Sequence, residues 1–370
     1  MKTLVMAVAV TMLMSCSANR ADNVVMIAGT YTDSGSEGLY SFVFNQETGE
    51  SHLLDSCRIA NPSYLTIAEN GKSIYTVSEL HDDQAAVYSV NFDASNGCFE
   101  IVNSQLTQGA DPCYVATNGK VVVTANYGGS TSVFQINGTG ELAPLQALYE
   151  GGTGGPDLSR QKEPHVHCTE FDNNGRYLYV SDFSADRLLV YEVSDNGCKI
   201  EPMIGENGEQ AAIPVAADYG PRHIIFDQSG NHAYVIGELS GMITVFDVKD
   251  GGMLVSKQTI EADTLKARGS ADIHLSRDGR YLYASNRLKG DGIAIYNVDD
   301  NTGELTKSGY MNTGLHPRNF NITPNGKFLL CACRDSDCIE IYRINEENGL
   351  LTDTGKRIAL SKPVCIKFVK

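Results

Sequence analysis

One turn-and-strand unit recurs six times along this chain, and no other feature narrows its possible folds as far. The copies are "NGKSIYTVSE" from Asn70, "NGKVVVTANY" from Asn118, "NGRYLYVSDF" from Asn174, "SGNHAYVIGE" from Ser229, "DGRYLYASNR" from Asp278 and "NGKFLLCACR" from Asn325. Their glycines lie 48, 56, 55, 49 and 47 residues apart. Glycine reaches the positive φ of a tight hairpin turn without steric penalty, and the β-branched and aromatic residues beside it favour strands. A strand precedes each turn, usually opened by proline ("NPSYLTIA", "EPHVHCTEF", "GPRHIIF", "HPRNFNIT"), and a third follows it ("AAVYSVNF", "DRLLVYEV", "GIAIYNV"). A fourth comes after a further Gly, as in "GELAPLQALY" and "GELTKSGYM". Four antiparallel strands in a period of about 50 residues describe a propeller blade.

The chain ends supply one more blade. "KPVCIKFV" is a seventh first strand, and "VVMIAGTYT" at 24–32 is a second strand lacking its partner. Paired, they close the ring and protect end strands that would otherwise be open edges. The expected fold is all-β: a seven-bladed β-propeller, four antiparallel strands per blade, closed by the N- and C-terminal strands, in a single domain over residues 24–370.

Ahead of that domain, Lys2, the apolar run "TLVMAVAVTMLM" and Ser15-Cys16 read as an export signal, too short to span a bilayer. "LMSC" resembles a bacterial lipobox. Residues 1–16 are therefore expected to be a lipoprotein signal peptide, Cys16 the lipidated residue, and 17–23 a short tether. An exported protein anchored by lipid at a membrane and facing the bacterial periplasm follows, with an unlipidated secreted protein as the alternative. No later apolar run reaches the roughly 18 residues of a membrane helix, so attachment would be by lipid alone. A net charge of −16 without any Lys/Arg cluster argues against nucleic acid or an anionic membrane surface as partner. Besides Cys16 there are nine cysteines, an odd number that cannot all pair, and most read as small core hydrophobes.

In a hairpin the start of one strand lies beside the end of the next, so residues about eight before and eight after each turn Gly gather at one end of the ring, near its axis. Eight before stand Ser63, His167, Arg222, Ala271 and Arg318, with the second repeat copy out of register near Cys113. Eight after stand Glu79, Tyr127, Phe183, Glu238, Arg287 and Arg334, with Tyr31 at the matching place in the closing blade. His223, Asp272 and Asn319, one position further in, are expected to join the cluster. The opposite end, where the Asn-Gly turns lie, is expected to carry no such set. Salt bridges that close the ring would account for the arginines and glutamates singly. A histidine among them favours acid/base chemistry on an anionic, oxygen-rich ligand.

"GTYT", "NPSYL", "PCYV", "ANYGGS", "RQKEPHVH", "GPRH", "GEL", "SNR", "PRNF" and "RDSD" occur in this order across essentially the whole mature chain. In this the chain resembles the seven-bladed propeller lactonase family that includes bacterial 6-phosphogluconolactonases, itself similar to fungal carboxymuconate-lactonizing enzymes. The resemblance implies a carboxylic-ester hydrolase that opens a sugar lactone without a cofactor. It also implies catalytic roles for His167, Arg222, Glu238 and Arg287, all four already on one face by the repeat count. His165, His223, Asp272, Arg318, Asn319, Glu79, Tyr127 and Arg334 are the neighbouring substrate-binding candidates, His165 being a loop residue or a substrate contact. Four departures stand out, Tyr114 for a His, Gly237 for an Asn, Asp272 for a Glu, and Cys333-Arg334 for Asn-Gln, and the first three border the site and loosen the substrate assignment. An exported enzyme is further expected to meet an unphosphorylated lactone.

Glu238 or His167 would supply the base for water, and Arg222 and Arg287 would hold the carbonyl oxygen or an anionic group. No G-x-S-x-G elbow, Walker loop or nucleotide-binding glycine fingerprint occurs. Arginines outnumber carboxylates in the cluster, which disfavours a hard cation, and His165 with His167 lacks a third ligand, so no metal is expected. "GGTGGPDLSRQKEP" at 151–164 reads as a long loop covering the pocket. The alternatives are a non-catalytic binding propeller and a lactonizing enzyme that closes the ring.

Overall fold

A computed structural model describes residues 22–369 and is all-β, with seven sheets arranged as blades. Cys16, the expected signal peptide and most of the expected tether lie outside the described residues. The closing blade has the expected composition: Pro363–Phe368 pairs with Asn23–Thr30, which pairs with Gly38–Asn45 and then Ser51–Arg58. The other innermost strands are Leu65–Ile67, Pro112–Thr117, Val166–Phe171, Pro221–Phe226, Ser270–Leu275 and Pro317–Ile322. Only the blade that starts with Val166–Phe171 is irregular among the described residues, its outer edge split into Ile200–Pro202 and Ala212–Pro214, both paired to Arg187–Val193.

The repeat encodes a latch between blades as well as the strands. In four copies a tyrosine follows the turn: Tyr75, Tyr179, Tyr234 and Tyr283. Each is buried and donates its hydroxyl to a glycine carbonyl in the outer turn of the next blade: Gly140 (3.1 Å), Gly252 (2.9 Å), Gly303 (3.0 Å) and Gly349 (2.9 Å). A buried phenol must find an acceptor, and each such bond contributes about 0.5–1.5 kcal/mol net. Gly252 and Gly349 have positive φ, and a Cβ there would stand 2.6 Å from Tyr177 and 2.5 Å from Tyr281. Only glycine permits both the turn and the aromatic packed beneath it.

A second repeated device lies beyond the reach of the motifs. Six innermost strands carry a β-bulge near their start, where the pairing skips Val364, Cys113, His167/Cys168, Arg222, Ala271/Asp272 and Arg318. A bulge sets one extra residue against the neighbouring strand and re-aims its side chain. Here it breaks strict alternation, so both Arg222 and His223 turn into the channel and touch each other.

Candidate active site

At the mouth where the innermost strands begin, His167, Arg222, Glu238 and Arg287 are all nearly inaccessible, with 2–7% of each exposed. Glu238 is the hub. Its Oε2 accepts from Arg222 Nε at 2.9 Å and lies 3.1 Å from Arg287 Nη2, while Oε1 accepts from Arg160 Nη2 at 2.7 Å. Burial alone would raise this carboxyl, but Arg287, Arg222 and Arg160 outweigh it and hold it at about 2. Arg222 also donates through Nη1 to the Ala271 carbonyl (2.6 Å) and to His223 Nε2 (3.1 Å). Arg287 is fixed by Nε on the Gly269 carbonyl (2.8 Å) and by Nη1 against His316 (3.2 Å).

His167 stands beside this hub, its ring 5.7 Å from Tyr127 and 5.5 Å from His223, with Nδ1 3.8 Å from the Cys113 thiol. Burial, then the charge of Arg222, push its pKa well below the ordinary imidazole value, so the ring is neutral. His165 lies outside it, stacked on Tyr127 at 4.1 Å with Nδ1 donating to the Tyr127 carbonyl at 2.5 Å. The two histidines therefore belong to different environments.

A second ionic group flanks the first. Tyr31 donates to both Glu79 oxygens at 3.0 Å, and Arg318 lies 3.9 Å from Glu79 and 5.6 Å over the Tyr31 ring. Arg334 turns away to the rim, where it makes a bidentate pair with Asp335 (2.8 and 2.9 Å) that Lys362 also approaches. Inside that rim Arg160, Arg222, Arg287 and Arg318 face Glu79 and Glu238, leaving an excess of two positive charges in a chain of net −16.

Arg160 escapes the repeat count because it comes from the 151–164 loop, and only that loop's place before "EPHVH" pointed to the mouth. Gln161, fully buried, donates to the Phe183 carbonyl (3.0 Å) and Asp186 (2.8 Å), while Arg268 ties Asp157 in this loop to Asp218. These ties hold Arg160 over Phe183 and onto Glu238.

His223, Asp272 and Asn319 lie deeper than expected of a cluster at this mouth. His223 Nδ1 donates to Asp272 Oδ1 at 2.7 Å, while Asp272 Oδ2 takes Asn319 and lies 3.0 Å from His274 Nε2. These residues run the chain of contacts on to the other end of the channel. That end is not bare, contrary to expectation. A cavity of about 510 Å³ opens there, lined by Tyr64, Tyr114, Glu170, His274, Arg277 and Lys367 among others. Strand parity is the reason: beyond the bulge, Glu170 and His274 alternate with core residues and face the axis. Among the described residues no group of three or more His, Cys, Asp or Glu side chains is arranged to hold a metal ion.

The family model for seven-bladed β-propeller lactonases matches residues 25–368. The chain belongs to this family. Membership places this lactonase among the carboxylic-ester hydrolases that its motifs implied. It is 32% identical over 336 residues to a 6-phosphogluconolactonase of Formosa agariphila, covering 88% of this chain and 94% of that protein. Among solved structures, a candidate 6-phosphogluconolactonase of Bacteroides uniformis is 51% identical, with a TM-score of 0.91 over 94% of this chain and all of that one. The periplasmic gluconolactonase of Pseudomonas aeruginosa is 28% identical, with a TM-score of 0.88 over 94% of this chain and 99% of that one.

Proposed function

We propose that this lactonase hydrolyses the ring ester of an unphosphorylated sugar lactone at the strand-start mouth. The observation that carries the reading is the convergence of three guanidiniums on one buried carboxylate, with a neutral histidine packed between Tyr127 and His223 at the same mouth. Glu238, with its lone pairs committed to Arg160, Arg222 and Arg287, is too weak a base to take a proton from water. Its part is to hold the arginines in place. The base is His167, whose neutral ring can accept a proton.

Water adds to the lactone carbonyl as His167 takes its proton. The oxygen that becomes anionic is stabilised by Arg222 and Arg287, aimed in advance by Glu238. Collapse breaks the ring C–O bond, and the departing oxygen takes the proton from His167. The product hydroxy acid ionises to a carboxylate, which suits the two surplus positive charges. The rim cations Arg334 and Lys362 are engaged by Asp335, which favours a substrate without phosphate.

Export and lipidation at Cys16 are part of the same proposal. They agree with the word periplasmic in the name of the Pseudomonas relative. The strand Asn23–Thr30 begins at the turn end of its blade, so a tether from Cys16 would leave the strand-start mouth open. Purified protein assayed on δ-gluconolactone and its 6-phosphate tests the reading. Higher kcat/KM is expected on the unphosphorylated ester, with His167→Asn and Arg222→Ala each losing roughly 10²–10³ in kcat. Unchanged turnover in both variants would overturn the site, and preference for the phosphate ester would overturn the substrate.

A further inference from the structure

We propose that the turn-end cavity is a second ligand site, built for a small polyhydroxy carboxylate. Two cations face it without a carboxylate partner among the described residues. Lys367 Nζ donates only to Tyr64 Oη at 3.2 Å and lies 4.7 Å over that ring. Arg277 reaches two backbone carbonyls, at 3.4 and 3.5 Å, and leaves the rest of its fork open. Guanidinium and ammonium groups on a cavity wall call for an anion, and a planar fork suits a carboxylate.

The rest of the lining offers hydrogen bonds suited to hydroxyl groups. Tyr114 donates to Glu170 Oε2 at 2.8 Å, leaving the other oxygen open, and His274 uses only Nε2, on Asp272. Tyr64 and Tyr114 stack at 4.0 Å and wall the inner end. At about 510 Å³ the cavity lies in the range of small-molecule sites and has room for a six-carbon acid. Asp272, which also lines the cavity, is committed to His223, His274 and Asn319, so Arg277 and Lys367 are the groups left to receive a carboxylate. An aldonate is chosen because the proposed reaction yields one.

Titration calorimetry with sodium gluconate, using the whole chain, tests the site. Wild type is expected to bind two equivalents. Arg160→Ala should weaken one by about tenfold; Lys367→Met should remove the other, and Arg277→Gln, at an exposed residue, should weaken that same one about tenfold. Glucitol, lacking the carboxylate, should not fill it. A single equivalent that responds to Arg160→Ala and ignores Lys367→Met and Arg277→Gln would overturn the proposal, as would glucitol binding as tightly as gluconate. A protein that opens no lactone yet loses a gluconate equivalent with Lys367→Met would sink the hydrolase reading and leave this site standing.

Discussion

Glu238 and Glu170 face the same channel from opposite ends, and their surroundings drive their acidity in opposite directions. Burial raises both. At Glu170 it prevails over the Tyr114 hydroxyl, Lys367 and His274, and the carboxyl is pushed up. At Glu238 three guanidiniums within 3.1 Å reverse it. Depth in the ring therefore does not set the chemistry of a carboxyl, whereas the number of charge-assisted donors does. One mouth is an assembled ionic lattice; the other is a polar cavity with bonding capacity to spare.

The largest expected contrast is in stability. Glu238→Gln strands two buried guanidiniums and the half-exposed Arg160, and is expected to lower unfolding stability by about 3–5 kcal/mol, whereas Glu170→Gln, which breaks no ion pair and still offers the Tyr114 hydroxyl an acceptor, should cost under about 1 kcal/mol. Equal losses in urea unfolding would erase the distinction between the mouths.

Next comes the response of stability to acid. Burial, then Arg222, hold His223 at about 4 in the folded chain, below its ordinary 6.5. The unfolded chain takes up the proton first, so stability is full above pH 6.5 and is lost as pH falls towards 4, by a few kcal/mol. His223→Gln should flatten that slope; an unchanged slope would place the titration elsewhere.

Activity gives a third test. Because His167 is also depressed, the acid limb of kcat/KM should lie well below pH 6.5. A limb at 6.5 or above would point to a different base. The smallest effect is expected at the loop: Arg160→Ala should raise KM about tenfold with a lesser change in kcat, since its half-exposed side chain completes the mouth from outside the ring. A loss confined to kcat would mean that it acts on the transition state alone.

Much of this was legible in the chain. The glycine spacing counted the blades, and the unpaired end strands closed the ring, because turn chemistry and strand propensity are local. The eight-residue offset put His167, Arg222, Glu238 and Arg287 together for the same reason. Arg160 was not legible, since a loop held by Gln161 and Arg268 sets its reach. Glu170, His274 and Lys367 stayed hidden as well, because they converge only where three blades meet.

The sequence by itself determined the blade count, the order of strands and which residues start each innermost strand, all set by short-range periodicity. The tertiary structure alone decided which side chains share a partner. Bulges turn Arg222 and His223 into one channel, and three arginines from distant parts of the chain meet Glu238. Contacts between blades depend on where a closed ring brings distant residues together, and no local pattern carries that information.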